Sequence, residues 1–246
     1  MSLSQNWEKL SAKLGAKIKA PNKVRKPKRQ KKRHDVTQPA VPRTQRLGPL
    51  AYALWNTPPG SKLEVVPRTA LHSVKLADPR KLAAGKYVAI DCEFVGVGNK
   101  ERSAVARVSL VNLYGIVLLD AYVQPRERVT DWRTWVSGVG PRNMDGALSF
   151  EEAQEKVRGI VENRILVGHA VENDLKALQL TRPRNSVVDT ALFNEYREMA
   201  NGKAPSLRRL CSALFQVNIQ RGAHSSVEDA LATMALFRLH QFRSSL

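Results

Sequence analysis

The chain has 246 residues, 43% of them hydrophobic, and its 40 Lys/Arg against 22 Asp/Glu give a net charge of +18. That length supports one or two domains with a sizeable core, while no stretch approaches the ~20 consecutive apolar residues that span a bilayer. Two cysteines, Cys92 and Cys211, are too few for a disulfide framework or a zinc cluster and fit a reducing compartment; the charge points to a polyanionic partner, of which nucleic acid is the commonest.

The charge is concentrated at the N-terminus. Residues 1–48 hold 14 Lys/Arg against two acids, Glu8 and Asp35. The opening "MSLSQNWEKLSAKLG" lacks the apolar run of a signal peptide, so a soluble, intracellular protein is expected. The segment "PNKVRKPKRQKKRHD", residues 21–35, has too little apolar surface to offset the entropy of ordering, so residues 1–48 read as a disordered basic tail. Such runs serve as tethers to RNA or as signals for a nuclear import receptor. Residues 49–85 read as a Pro-rich linker, in which "LAYALWN" (50–56) could dock on the domain that follows.

From residue 86 to 246 the pattern is that of one regular domain. "KYVAIDCEF" is a strand. Val105–Val111 and Ile116–Val123 form a hairpin about Tyr114-Gly115. "SFEEAQEKVRGIVEN" is a helix with Ser149 and Glu152 at capping-box spacing. "RILVGHA" and "SVVDT" are short strands, separated by the helical "ENDLKALQL". "PSLRRLCSALF" and "SSVEDALATMALFRLHQF" are helices, the second with an apolar stripe through Val227, Leu231, Met234, Phe237 and Phe242, and with a second capping box at Ser225 and Glu228. A hairpin followed by alternating strands and helices implies an α/β layer with a mixed sheet.

Within this pattern the acids are placed unusually. Asp91 and Glu93 end an apolar strand, and period-two alternation puts them on one face, with Ile90, Cys92 and Phe94 on the other. Two carboxylates about 7 Å apart on one face repel unless a cation lies between them, and hard divalent cations take oxygen ligands. Asp174 opens a helix directly after a strand end, the place where α/β sheets gather ligands. Asp229 follows His224 and faces the sheet side of the last helix, where an acid needs a partner. Alone, each has a plainer reading: a solvated strand end for Asp91 and Glu93, a first-turn helix acid for Asp174.

"DCEFVG", "GHAVENDLKAL" and "HSSVEDALATM", in this order, resemble the three motifs of the DEDDh 3′→5′ exonucleases. "ARVSLVN" and "TDWRTWVSGV" make the chain most similar to the RNA exonuclease 4 family, with interferon-stimulated exonucleases as close relatives, over about residues 86–242. The resemblance implies a ribonuclease H-like fold, with a mixed five-stranded sheet flanked by helices. It also implies that Asp91, Glu93, Asp174 and Asp229 hold two divalent ions, Mg²⁺ or Mn²⁺, with Asp91 bridging, Glu93 and Asp229 on the ion that binds the attacking water, Asp174 on the other, and His224 as general base. The loop "RGAHSS" would let His224 swing toward the phosphate. Family members often carry Met where this chain has Phe94; Phe94 and Arg133 are the substrate-binding candidates, with Arg107 and Arg142 as further phosphate contacts. His169 repeats the spacing of His224 but follows an apolar strand and reads as structural, as does Asp189.

The expected function is therefore a metal-dependent 3′→5′ exoribonuclease that shortens single-stranded RNA ends, such as those of pre-ribosomal RNA, to nucleoside 5′-monophosphates, in the nucleus and its nucleolus. The alternatives are a non-catalytic RNA-binding ribosome-assembly factor and a 3′→5′ DNA exonuclease of the same fold. No membrane partner is expected.

Overall fold

The computed structural model describes residues 44–98 and 102–246; most of the basic tail expected at residues 1–48 lies outside them. In chain order the strands are β1 (Thr44–Gln45), β2 (Val74–Lys75), β3 (Tyr87–Val97), β4 (Arg102–Asn112), β5 (Val117–Gln124), β6 (Val129–Asp131), β7 (Leu148–Ser149), β8 (Ile165–Gly168) and β9 (Val187–Asp189). The helices are α1 (Pro49–Asn56), α2 (Pro79–Leu82), α3 (Thr134–Ser137), α4 (Phe150–Val161), α5 (Glu172–Ala177), α6 (Asn194–Glu198), α7 (Leu207–Phe215) and α8 (Ser226–Arg243).

The five strands expected from the sequence form the body of one mixed sheet in the order β5-β4-β3-β8-β9; the short β7 extends the β5 edge and β6 pairs with β3. The meander β3-β4-β5 is antiparallel, whereas β8 and β9 run parallel to β3. One edge of β3 is shared. β8 pairs with it at residues 87–89 and β6 at residues 96 and 97, so no strand among the described residues covers residues 90–95 on that side. A window therefore opens in the sheet beside Asp91 and Glu93.

Alternation along β3 sorts its side chains between two cores. Val88, Ile90 and Cys92 pack with Phe150, Val157, Leu166 and Leu175 under α4 and α5. Ala89 packs on the opposite face with Leu210, Met234 and Leu236 of α7 and α8. Asp91 and Glu93 thus belong to the α8 face. The sheet is sandwiched between helical layers, as the pattern of elements predicts.

Three details differ from the sequence reading. The Ser149–Glu152 capping box forms, but Ser225 makes no side-chain cap; Glu228 instead accepts the Gln220 N–H at 3.2 Å and draws the preceding loop onto the first turn of α8. The apolar stripe of α8 is also too narrow a description. Residues 232–239 are buried all round, because α8 lies between the sheet and other elements, α1 among them. The stretch 49–85, read as a linker, carries α1, whose Leu54 is fully buried in the α8-side core. It is fastened there by Arg238, itself 2% exposed, whose guanidinium donates to the carbonyls of Leu54 (2.8 Å), Leu113 (3.3 Å), Thr57 (2.7 Å) and Pro58 (2.9 Å). Sequence reading missed the anchor because the partners of this buried arginine are backbone atoms 125 to 184 residues away.

Candidate functional site

β3 and the N-terminal turn of α8 meet over the uncovered window. Asp91, Glu93 and Asp229 each bring a carboxylate oxygen to within 4.8 Å of one another. Their meeting is set by small residues on the same face. Ser109, opposite Asp91 in the β3–β4 register, is fully buried and hydrogen-bonds Ser226 of α8 Oγ to Oγ at 2.7 Å. This contact seats the start of α8 on the sheet and brings the Ser226 backbone amide beside Glu93, where it lowers the carboxyl pKa. A β-bulge follows Glu93, so the register slips before Phe94. Phe94 remains half-buried, packed beside the α4-side core while lining the same cleft as the acids.

Asp174 approaches from the other side of β3. Its carboxylate lies beside the Cys92 amide and thiol, both of which lower its pKa, outside the three-carboxylate group but close enough to Asp91 to repel its charge. The turn that delivers it is constrained. Gly168 ends β8, and a Cβ there would come within 2.3 Å of the Val171 Cβ. Ala170 adopts a left-handed φ of 59°, and Asp189 on β9 grips both following amides, accepting Ala170 N–H at 2.8 Å and Val171 N–H at 3.2 Å. Asp189 also caps Ala191 N–H at 2.9 Å. It is a structural acid that positions the Asp174 turn.

The electrostatics are those of acids crowded out of water. Burial, followed by Asp174, Asp229 and Glu93, pushes Asp91 well above the ordinary carboxylate range. Glu93 is pushed up to about 8 by burial and then by Asp229, against the pull of Arg107 and the Ser226 amide. Burial raises Asp174 to about 7 and Asp229 to about 6, opposed by the Cys92 and Gln220 donors respectively. Glu93 Oε1 and Asp229 Oδ1 are buried with no hydrogen-bond donor among the described residues. Buried acceptors without donors are expensive, and a hard divalent cation ringed by carboxylate oxygens removes both the repulsion and the deficit. The donor set therefore fits a hard divalent cation.

His224 lies on the loop before α8, about one-third exposed, with Nδ1 3.9 Å from Asp229 Oδ2. Burial and then Arg208 lower its pKa, so the imidazole is neutral near pH 7 and able to accept a proton. The loop expected to swing is tied at this residue: His224 N–H donates to Val136 O at 2.6 Å, and Gly138 packs so closely that a Cβ would stand 3.0 Å from His224 O. His169 also lines the cleft, but both ring nitrogens are engaged, Nδ1 with Thr190 Oγ1 at 2.9 Å and Nε2 with Pro205 O at 2.8 Å. Since the carbonyl can only accept, Nε2 carries the proton, while the single proton of the Thr190 hydroxyl is shared between Nδ1 and the Gly168 carbonyl 3.0 Å away.

The cleft over these groups has a volume of about 450 Å³. Arg133 borders it with a left-handed φ of 48°, its N–H donating to Asp131 Oδ1 at 2.9 Å and its guanidinium to Ser103 Oγ at 3.0 Å. Arg107 is committed elsewhere: its fork holds Asp120 through two bonds of 2.8 Å, leaving its charge beside Glu93. Arg142, exposed on the turn 141–144, does not line the cleft. Sequence reading missed Gln220, whose side-chain amide donates to Asp229 Oδ2 at 2.9 Å, and Trp135, whose side chain stands on the cleft rim. Neither sits at a spacing that periodicity could flag.

Residues 88–237 match a family model described as an exonuclease, RNase_T. RNA exonuclease 4 of Debaryomyces hansenii is 46% identical over 98% of this chain and 92% of its own length, and that of Candida albicans is 46% identical over 96% and 93%. Among solved structures, the catalytic unit of Neurospora crassa Pan2 (protease and nuclease domain) superposes with a TM-score of 0.59 at 26% identity, covering 66% of this chain and 28% of that one. The Pan2 pseudoubiquitin hydrolase–RNA exonuclease module of Saccharomyces cerevisiae, in complex with A7 RNA, gives a TM-score of 0.57 at 30% identity, covering 65% of this chain and 29% of that one. This chain spans less than a third of either Pan2 structure. The mixed sheet and its helical layers are those of the ribonuclease H-like exonuclease fold.

Proposed function

The chain belongs to the RNA exonuclease 4 family within the DEDDh superfamily, and from that premise we propose that it is a 3′→5′ exoribonuclease that removes nucleoside 5′-monophosphates from single-stranded RNA ends. The observation that carries this reading is the convergence of Asp91, Glu93 and Asp229 within 4.8 Å, with two buried carboxylate oxygens left without donors. Two divalent ions held by these acids and Asp174 would supply Lewis acidity on both sides of the scissile phosphate.

The remaining work falls to the chain's own groups. His224, neutral and tied to α3, accepts the proton of the attacking water. Gln220 holds Asp229 at its Oδ2 and so fixes the orientation of that carboxylate, while the Ser226 amide lies beside Glu93. Arg133, at the cleft border, neutralises phosphate charge, and Phe94 offers its ring to the terminal nucleotide. The basic tail adds sequence-independent affinity for RNA and serves as a signal for nuclear import. By family likeness the substrate is pre-ribosomal RNA and the site of action the nucleolus.

A labelled RNA oligonucleotide and its DNA counterpart, incubated with the protein and Mg²⁺ or Mn²⁺ or with chelator, test this. The expected result is stepwise 3′ shortening of the RNA that needs metal and disappears in Asp91→Ala. Binding without shortening would point instead to a non-catalytic assembly factor, and faster loss of the DNA to a deoxyribonuclease.

A further inference from the structure

Trp135 is 80% exposed, the one aromatic among the large apolar side chains that the described residues leave in water. Single exposed apolar side chains are ordinary; this one is set apart by lying on the lining of the cleft that holds the acids. Its position is held firmly. Val136 and Ser137 N–H both donate to Arg133 O at 2.8 Å, Gly138 N–H donates to Thr134 O at 3.0 Å, Ser137 Oγ donates to Trp132 O at 3.0 Å, and Thr134 Oγ1 donates to Val139 O at 2.7 Å. The bond from His224 N–H to Val136 O ties the same turn to the loop that carries the imidazole. The indole is therefore presented from a rigid turn at the rim of the cleft whose floor holds the acids and Phe94.

We infer that Trp135 is a stacking platform for a nucleobase of the incoming strand, on the 5′ side of the terminal nucleotide. This role rests on the exonuclease reading above and deepens it. Phe94 is half-buried near the acids and can meet only what reaches the cleft floor, whereas Trp135 stands at the rim, where a longer strand must pass. Every base has a π-face, so such a platform grips RNA without selecting sequence, as an enzyme that shortens a strand base by base requires. Arg133, two residues away on the same wall, supplies positive charge for the phosphates between stacked bases. The platform selects for substrate length: a single nucleotide in the cleft leaves the indole unused.

Two measurements test this on the full chain: the ratio of kcat/KM for a pentanucleotide RNA to that for a nucleoside 5′-nitrophenyl phosphate, and the affinity of the same pentanucleotide by fluorescence anisotropy in chelator. Trp135→Ala is expected to lower the ratio and the affinity by about tenfold, and Trp135→Phe to recover part of both. Leu192→Ala, which removes another exposed apolar side chain away from the cleft, is expected to keep the wild-type ratio. A wild-type ratio and affinity in Trp135→Ala overturn the inference, as does an equal loss on both substrates, which would place the tryptophan in the folding of the site or in contact with another protein. If the wild type shortens no RNA, the exonuclease reading fails by itself, and the anisotropy comparison alone decides whether the indole stacks on bases.

Discussion

Glu93 and Asp229 each bury a carboxylate oxygen that no donor among the described residues meets, beside a third acid of the same sign. A metal-free domain therefore carries its site as a local cost to stability, a common bargain in active sites. With Glu93 pushed up to about 8, a metal-free domain at neutral pH must take up a proton there on folding, whereas Gln is neutral and a donor without that uptake. The expected outcome is a metal-free domain more stable by about 1 kcal/mol, read as a higher thermal unfolding midpoint in chelator, together with loss of RNA shortening. Adding Mg²⁺ or Mn²⁺ should raise the midpoint of the wild type and move that of Glu93→Gln less. A variant with the wild-type midpoint in chelator would show that the carboxylates do not strain one another. At this scale the sequence was informative where alternation applied, since Asp91 and Glu93 had to share a face of β3. It was silent on Gln220, Ser109 and Ser226, because an amide or hydroxyl reaching across the chain leaves no periodic trace.

The elements were legible in proportion to their regularity. β3, the β4–β5 hairpin and α4 with its capping box follow from hydrophobic period and cap spacing, and α8 was legible as a helix although the cap expected for it does not form. β6 and β7, two or three residues each, exist only because a neighbour pairs with them, and no local pattern announces such strands. α1 stands apart, since residues 50–56 read as a segment that could dock but not as one with a visible fastening. Its apolar residues are those of any short docking segment, and what fixes them is Arg238 on α8, a cation whose pKa burial lowers to about 10. In Arg238→Met the carbonyls of Leu54, Thr57 and Pro58 are left without this donor in a buried setting. The expected destabilisation is about 3 kcal/mol, measured by urea unfolding. A destabilisation below ~0.5 kcal/mol, the range of a bystander surface change, would mean that water replaces the guanidinium at no cost.

For the whole molecule, the sequence indicated an α/β layer with a mixed sheet, and the structure has one. What alternation could not supply is the shared edge of β3. The gap between β8 and β6 opens the sheet at residues 90–95 and gives Asp174 its approach to Cys92. The uneven charge is the other property of the complete chain. The eight Lys/Arg at residues 23–33 lie outside the described residues. Changing all eight to Gln in the full chain should flatten the slope of log affinity for RNA against log salt, by about 0.7 for each phosphate that the tail no longer neutralises. An unchanged slope would mean that the basic run touches no RNA.

The Arg238 latch has a consequence for how the polypeptide can be cut. Lys62 and Arg68 are exposed between α1 and the sheet, open to a trypsin-like protease. A nick there would separate the pieces covalently but not physically, since the shorter one remains seated by Leu54 and by carbonyls clasped from the far end of the chain. Such a protein would look broken on a denaturing gel and whole on a sizing column.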